Sequence, residues 1–254
     1  MTAPTFDLLV QGYPGASASN GGMGWSSVGL VRAGDRVVLL DTGPFGARAL
    51  VRRRLQERGL APSDVTDVVL THSHHDHSVN WPMFTEARVY ISRVELEWAL
   101  TVPAGETPVA ELYMRELVGR PRTVPLGDEE EILPGVRTEV VAGHTPGSLL
   151  IRVGTEPAQT VFVGDAAKNR AELVSRRAEA SVDEAATTAA IDRIWDRWRA
   201  GPGTVLVPGH DLPMVLDSGT CRYLGTREAS VQARFGAKLT DVTHFDLQAA
   251  HGTA

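Results

Sequence analysis

Short runs of apolar residues, most of them rich in valine, recur along the chain between more polar segments. They occupy residues 28–31, 37–40, 68–70, 89–91, 136–141, 149–153, 161–163 and 205–207. β-branched side chains suit a pleated, buried surface, and runs of this length are typical of buried strands. The pattern therefore predicts eight strands spread over most of the sequence.

Amphipathic segments lie between these runs. Residues 47–58, 94–100 and 109–118 carry apolar side chains on one helical face. The clearest helix begins near Ser181, which has the spacing of a capping box with Glu184. Apolar residues then follow at i, i+3, i+4 and i+7, and a Gly-Pro pair ends the helix. Strands that alternate with helices predict an α/β fold built in layers.

The composition is that of an ordinary globular protein, with 43% hydrophobic and 22% charged residues in a chain of 254. This length suffices for one domain with a full core. We expect a single domain over residues 1–254, with its motif-bearing core at about 28–211. The role of the C-terminal segment, about 217–254, stays open, although residues 226–238 could form a further helix.

The net charge and the cysteine content limit which binding partners and which cellular compartment the sequence favours. With a net charge of −6, the chain has no electrostatic reason to bind a nucleic acid. No apolar run is long enough to cross a membrane, and the N-terminal segment lacks the features of a secretory signal. The single cysteine, Cys221, excludes an internal disulfide and a thiolate metal cluster. We expect a cytoplasmic protein whose partner is a small molecule; either a homo-oligomer or a hetero-oligomer would be compatible with the sequence.

Candidate chemistry is densest at residues 68–77, which read VVLTHSHHDH. A strand runs directly into His72, His74, Asp76 and His77. Imidazole nitrogens and carboxylate oxygens are ligands that zinc and similar divalent ions prefer. The spacing favours His72 and His74 on one ion, and Asp76 with His77 on a second ion nearby. A His-rich surface turn is the alternative interpretation.

Four more segments follow the same rule, because each places a polar residue with a glycine neighbour directly after an apolar strand. These residues are Asp41, His144, Asp165 and His210. Ligand sites in α/β sheets gather outside the carboxyl ends of the strands, and glycine allows the sharp turns and close approach that such sites need. We therefore expect these side chains to meet the histidine cluster.

Taken in order, the five segments resemble the motifs of the metallo-β-lactamase superfamily, over about residues 28–211. The resemblance implies a four-layer αββα sandwich with the metal site at the edge between its two sheets. It implies that one ion is bound by His72, His74 and His144, a second by Asp76, His77 and His210, and that Asp165 bridges both. Asp41 would orient ligands from behind. The expected cofactors are two divalent ions, zinc first, with iron or manganese as alternatives.

Within this superfamily, the nearest resemblance is to the N-acyl homoserine lactonases and related hydrolases. It rests on residues 72–77, 133–148, 164–169 and 208–212. It implies that a hydroxide shared by the two ions attacks an ester, lactone, thioester or activated aryl-ether bond, since bound metal lowers the pKa of water to about 7. Asp76 or Asp165 would handle the proton.

Two departures from the lactonase pattern concern the substrate. Lys168 stands where lactonases carry a tyrosine that meets the substrate carbonyl, so the lysine either stabilises an oxyanion or points to solvent. Trp81, after the cluster, indicates a bulky apolar wall and an aromatic substrate. Met23 and Trp25, in the Gly- and Ser-rich segment 12–27, would line the same pocket, unless these side chains serve core packing instead.

Two other functions remain open. Some members of the superfamily are mononuclear iron dioxygenases that act on persulfides, with two histidines and one aspartate on a single iron. A catalytically silent partner subunit on the same scaffold is the third hypothesis, although the intact set of seven candidate ligands argues against it.

Overall fold

All eight apolar runs form strands in the computed structural model, which describes residues 3–19 and 21–248. In chain order, the strands of the described residues are β1 (Thr5–Val10), β2 (Ala16–Ser17), β3 (Gly21–Gly22), β4 (Val28–Ala33), β5 (Arg36–Leu40), β6 (Asp67–Val69), β7 (Arg88–Ser92), β8 (Thr123–Leu126), β9 (Glu129–Leu133), β10 (Val136–Val140), β11 (Leu149–Gly154), β12 (Gln159–Gly164), β13 (Val205–Pro208), β14 (Met214–Asp217), β15 (Thr220–Tyr223), β16 (Ser230–Ala233) and β17 (Thr243–Asp246). The α-helices are α1 (Arg48–Gln56), α2 (His75–Ser78), α3 (Arg93–Ala99), α4 (Glu111–Gly119), α5 (Arg170–Ser175) and α6 (Glu184–Ala200).

The described residues fall into two compact units, divided between Leu224 and Gly225. The first unit contains the whole predicted motif-bearing core. The second contains β16 and β17, which pair antiparallel with each other. The assignment of both units to one domain stays a prediction, and residues 249–254 of the C-terminal segment lie outside the described residues.

Two sheets organise the first unit. One has six strands in the order β1-β4-β5-β6-β7-β8, and the other has seven in the order β15-β14-β13-β12-β11-β10-β9. Neighbouring strands from β5 to β8 run parallel, and so do β12 and β13. The connections between β5, β6, β7 and β8 contain α1, α2, α3 and α4, as parallel strands require a crossover.

Successive side chains along each strand point alternately to the other sheet and to the helices. In β5, Val38 and Leu40 belong to a core cluster shared by both sheets, whereas Leu39 packs in a cluster with α1, α3 and α4. In β12, Phe162 faces the shared core, and its neighbours pack with α5 and α6. Because successive residues of a strand point to opposite faces, each sheet has one face on the other sheet and one on helices. The predicted αββα sandwich is confirmed.

The carboxyl ends of the central strands gather the candidate residues at one edge. Asp41 follows β5, His72 lies three residues beyond the end of β6, and Asp165 follows β12 directly. His210 lies two residues beyond the end of β13. Parallel pairing of β5 with β6, and of β12 with β13, makes these ends neighbours within each sheet.

Helix α6, the longest in the described part of the chain, begins later than the sequence pattern predicts. Its N-cap is Asp183, whose carboxylate accepts a hydrogen bond from Ala186 N at 2.9 Å. The proposed capping residue, Ser181, lies two residues upstream, and its hydroxyl is buried without a hydrogen-bond partner among the described residues. Both residues precede the same apolar face, so the sequence pattern alone could not separate them. Within the described residues, no helix has the length and apolar character needed to cross a membrane.

The helix predicted at residues 226–238 is wrong, because this segment contains strand β16. Its partner β17 begins ten residues after β16 ends, so no short hairpin turn between them marks the pair in the sequence.

The apolar runs also do not predict strand β9. It reads EEEIL and lies at the edge of its sheet, where three glutamates remain exposed. An edge strand with charged side chains lacks the apolar run used to recognise the others.

The two candidate caps of α6 can be distinguished by substitution. Asp183→Ala should lower the free energy of unfolding by about 1 kcal/mol, because it removes the acceptor for a helix N–H. The matched control Ser181→Ala should cost nothing, since its hydroxyl makes no hydrogen bond within the described chain. Urea unfolding followed by circular dichroism measures both. A larger cost for Ser181→Ala than for Asp183→Ala would contradict the assignment.

Candidate metal centre

The seven predicted ligand side chains converge at the edge of the sandwich. Their potential ligand atoms form three overlapping groups in which all atoms lie within 4.8 Å of one another. We call His72, His74 and His144 the first group, and Asp76, His77 and His210 the second group. The remaining group combines His72, His77 and Asp165, so it lies between the other two.

The first group consists of three imidazoles from both sheets. Nε2 of His144 lies 3.0 Å from Nδ1 of His74, and the two rings meet edge to face. Nitrogens held about 2.0–2.1 Å from a tetrahedral zinc ion lie about 3.4 Å apart, close to this spacing. His72 Nδ1 lies 3.0 Å from the Thr71 hydroxyl, which leaves His72 Nε2 buried without a hydrogen-bond partner in the described chain.

The second group combines two imidazoles with a carboxylate. Nε2 of His77 lies 3.3 Å from Nε2 of His210. Oδ2 of Asp76 lies 3.3 Å from His210 Nε2 and 3.7 Å from His77 Nε2. His77 belongs to the short helix α2, whereas His210 arrives from β13 of the other sheet.

Asp165 joins the two groups through its two oxygens. Oδ1 lies 3.3 Å from Nε2 of both His77 and His210, while Oδ2 lies 3.4 Å from Nε2 of His144. Gly209 makes this position accessible, because a Cβ at residue 209 would lie only 2.1 Å from Asp165 Oδ1. One carboxylate therefore faces both candidate ion positions.

Burial sets the protonation of the first group. It lowers the pKa of His72 and His74 well below the ordinary value, and it lowers the pKa of His144 to about 4. All three imidazoles are therefore neutral at pH 7. Neutral imidazole is the form that binds a metal ion.

Carboxylates reverse this effect in the second group. Burial alone would lower the pKa of His77, but the neighbouring Asp165, Asp76 and Asp41 raise it well above its usual range. The pKa of His210 is raised against burial in the same way, chiefly by Asp165. His210 and His77 hold the pKa of Asp165 well below normal despite its burial. Positive charge is thus favoured between these side chains, and a divalent cation would satisfy the same need.

The buried carboxylate of Asp41 lies directly behind His77. Its Oδ2 is 2.7 Å from His77 Nδ1, and Thr71 donates its backbone N–H to Oδ1 and its hydroxyl to Oδ2. A proton on Nδ1 of His77 leaves Nε2 to face Asp165 and His210. This is the position that a residue orienting a ligand must occupy.

Lys168 lies three residues after Asp165, beyond the end of β12. Its Nζ lies 2.7 Å from Oε1 of Glu172 and donates a hydrogen bond to the Glu179 carbonyl at 2.5 Å. The side chain is 17% exposed, so the lysine does not point freely into solvent. Its ammonium is already paired, which leaves it less available for an oxyanion than the sequence suggests.

A polar cleft with a volume of about 390 Å³ opens beside the second group. Its lining comes from the N-terminal segment, from α2 and from the segments after β12, α5 and β13: Tyr13, Pro14, Gly15, Ala16, Gly22, Gly24, His75, Asp76, Lys168, Asn169, Glu179 and His210. Tyr13 and Glu179 could not be selected from sequence, because neither lies next to a motif.

The described residues of the segment 12–27, which are 12–19 and 21–27, pair across the segment and contact the ligand loops. Tyr13 and Trp25 pair through their backbones, and their rings stack with centroids 4.8 Å apart. Ser26 donates its hydroxyl to the Asp76 carbonyl at 2.5 Å. Met23 and Trp25 line a second pocket, largely apolar, with a volume of about 340 Å³, and Gly24 borders both cavities.

Trp81 does not line either cavity. It is 5% exposed and packs in the core cluster between the first sheet and its helices. The guanidinium of Arg120 lies 5.4 Å from the centre of its ring. Core packing, and not a pocket wall, explains the tryptophan at this position. Trp81 therefore gives no support for an aromatic substrate.

Comparison with known proteins agrees with this geometry. The sequence profile of the metallo-beta-lactamase superfamily matches residues 22–220. The chain belongs to the metallo-beta-lactamase superfamily. The matched region includes all seven candidate ligands and Asp41. Members of this superfamily are generally hydrolytic enzymes, in line with the His/Asp cluster described above.

Several known proteins are similar in sequence to this chain. Metallo-beta-lactamase domain-containing protein 1 of Xenopus laevis is 28% identical over 210 residues, or 81% of this chain and 79% of that protein. Mammalian proteins of the same name are matched over 62% to 65% of their length. The N-acyl homoserine lactonase of Bacillus thuringiensis is 27% identical over 110 residues, or 43% of this chain and 41% of the lactonase.

A solved structure supports the superfamily fold. An N-acyl homoserine lactone hydrolase with N-hexanoyl-L-homoserine at its catalytic metal centre gives a TM-score of 0.65 at 19% identity, covering 83% of this chain and 94% of the hydrolase. At this identity the likeness concerns the fold.

Proposed function

We propose that this metallo-beta-lactamase superfamily member is a dinuclear hydrolase that cleaves an ester, lactone, thioester or activated aryl-ether bond of a small molecule. The observation that carries the proposal is the position of Asp165, whose two oxygens face different ligand groups. A single ion would need only one of these groups. Two complete groups joined by one carboxylate favour a pair of ions.

The chain would hold one ion with the first group and the other with the second group, and Asp165 would contact both. Bound ions of this kind lower the pKa of a coordinated water and polarise a carbonyl oxygen. Zinc suits these ligand types, and iron and manganese remain alternatives.

The roles of the two acidic residues differ by their access to substrate. Asp76 lines the cleft and its side chain is 16% exposed, whereas the Asp165 side chain is 5% exposed and lies between the imidazoles of the two groups. We assign Asp165 to holding the centre together. Asp76 is the residue placed to accept a proton and to pass it to a leaving group in the cleft.

Lys168 contributes to the cleft in a more limited way. Its ammonium is paired with Glu172, so its charge is partly offset before substrate enters. We propose that Lys168 shapes and charges the cleft wall and meets substrate only if the pairing with Glu172 loosens. Glu172 also accepts a hydrogen bond from the Lys168 backbone at 2.7 Å, which fixes the start of the lysine side chain.

The substrate class follows from the two cavities. A volume of about 390 Å³ suits a small molecule, and the charged residues of the cleft lining are two acids and one lysine, which would not attract a polyanion. The apolar pocket bordered by Met23 and Trp25 offers space for an acyl or aryl group. We therefore propose a substrate with a hydrolysable polar group beside an apolar group.

The iron dioxygenase hypothesis needs one ion held by two histidines and one aspartate. The complete second group, preorganised beside the first, supports the dinuclear alternative instead. A silent partner subunit would have no need for an intact set of ligands.

A hydrolysis panel tests the proposal. Zinc-loaded protein should cleave at least one ester, lactone, thioester or aryl ether, and a chelator should abolish the activity.

Asp165→Asn should keep the fold, lose one ion by mass spectrometry and reduce turnover about 100-fold or more, because the shared ligand is gone. Full turnover by Asp165→Asn would contradict its bridging role. One iron per chain with thiol-dependent oxygen uptake would favour the dioxygenase.

The apolar pocket can be tested on the substrate that the panel identifies. Met23→Ala should raise KM about tenfold for esters with a long acyl or aryl group, because apolar contact with the substrate is lost. Short acetate esters should be cleaved as before. Leu112→Ala, at a residue 72% exposed, serves as the control. An equal change for short and long substrates would mean that the pocket does not hold the apolar group.

A further inference from the structure

A carboxylate outside the ligand set, that of Glu95, lies in the first turn of α3 and is fully buried. Its Oε1 accepts hydrogen bonds from the backbone N–H of Ser73 at 2.9 Å and from the Ser73 hydroxyl at 2.6 Å. Its Oε2 accepts one from the backbone N–H of Gly147 at 3.1 Å. Every one of these contacts uses the carboxylate as an acceptor.

The residues that Glu95 binds belong to two different ligand loops. Ser73 lies between His72 and His74, after β6 of the first sheet. Gly147 lies three residues after His144, in the turn between β10 and β11 of the second sheet. One side chain thus connects the two segments that supply the whole first group.

The approach of α3 to the second loop requires glycine at residue 147. A Cβ there would lie 2.3 Å from the backbone nitrogen of Glu95 and 2.7 Å from its Cα. The Ser73 segment is fixed from its other side as well, because the Ser73 carbonyl accepts a hydrogen bond from Ala110 N at 3.1 Å. Glu95 therefore packs closely against both loops, which leaves little room for either loop to move.

The negative charge of the Glu95 carboxylate matters in addition to its hydrogen bonds. Within the described residues, the Glu95 carboxylate is held by hydrogen bonds from Ser73 and Gly147, and no lysine, arginine or histidine forms an ion pair with it. A buried carboxylate without a cationic partner is costly, and hydrogen bonds recover only part of that cost. Imidazole ligands bring no negative charge to a divalent ion, and the Glu95 carboxylate binds Ser73, the residue between two of them.

We propose that Glu95 is a positioning residue that strengthens metal binding by the first group, because its carboxylate fixes both ligand loops and brings a negative charge to the residue between His72 and His74. This inference rests on the proposed metal-dependent function. It concerns the affinity for the ion, so it can be measured without any substrate.

A cobalt titration tests the role of Glu95. The metal-free protein is prepared with His210→Asn throughout, so that the second group is disabled and binding reports on the first group. Visible absorption then follows one cobalt ion per chain. Glu95→Gln, which keeps the size of the side chain but removes the charge, should weaken cobalt binding 10–100-fold. Ser73→Ala, which removes one of the hydrogen bonds, should weaken it less.

Asp67→Asn is the matched control. Asp67 is another buried carboxylate of the first sheet, at the opposite end of β6, where it is paired with Arg36. This variant should lower thermal stability without changing cobalt affinity, so it separates a loss of stability from a loss of binding. The proposal would be overturned if the His210→Asn protein bound cobalt equally well with and without Glu95→Gln. It would also be overturned if Asp67→Asn weakened cobalt binding as much as Glu95→Gln does.

The titration also separates this inference from the proposed function. If the chain without substitutions binds cobalt tightly but cleaves nothing on the hydrolysis panel, the hydrolase is refuted and the role of Glu95 still stands. If that chain binds no cobalt, both are refuted. A loss of binding confined to the Glu95 and Ser73 variants supports the positioning role.

Discussion

Buried carboxylates packed this closely with imidazoles are costly unless positive charge lies among them. Around Asp165, imidazole nitrogens approach to 3.3–3.4 Å, and the same carboxylate keeps the pKa of His77 high although burial acts in the opposite direction. In the first group, neutral imidazole nitrogens face each other at 3.0 Å. Protons can provide part of the missing charge, but a divalent cation matches the ligand types, their number and their spacing.

The sandwich supplies the rigidity that this cluster needs. Each sheet is buried on both faces, so the ends of its strands have little freedom, and the ligands sit on short loops directly after those ends. Further side chains tie the loops to one another. Asp41 fixes His77 from behind, and Glu95 links the loop of His72 with the loop of His144. The geometry of the centre is therefore a property of the packed scaffold as much as of the ligands.

Sequence reasoning succeeded where local pattern and chemistry coincide. The buried strands are continuous apolar runs, and each ligand follows such a run, so both the layers and the seven converging side chains could be predicted. Glu95 could not be found in this way, because it lies in an amphipathic helix and acts through contacts with residues 22 and 52 positions away. Trp81 was misinterpreted for the opposite reason, since its neighbours in sequence are ligands but its neighbours in space are core residues. Lys168 and Glu172 are four residues apart, a spacing that allows an ion pair, so their pairing could have been anticipated from the sequence.

The central claim is that two cations lie side by side, one in each ligand group. Diffraction from zinc-soaked crystals, collected above and below the zinc absorption edge, measures this directly. The account predicts two anomalous peaks per chain, one among His72, His74 and His144 and the other among Asp76, His77 and His210, with an oxygen of Asp165 in contact with each. A single peak, or peaks away from these side chains, would contradict it.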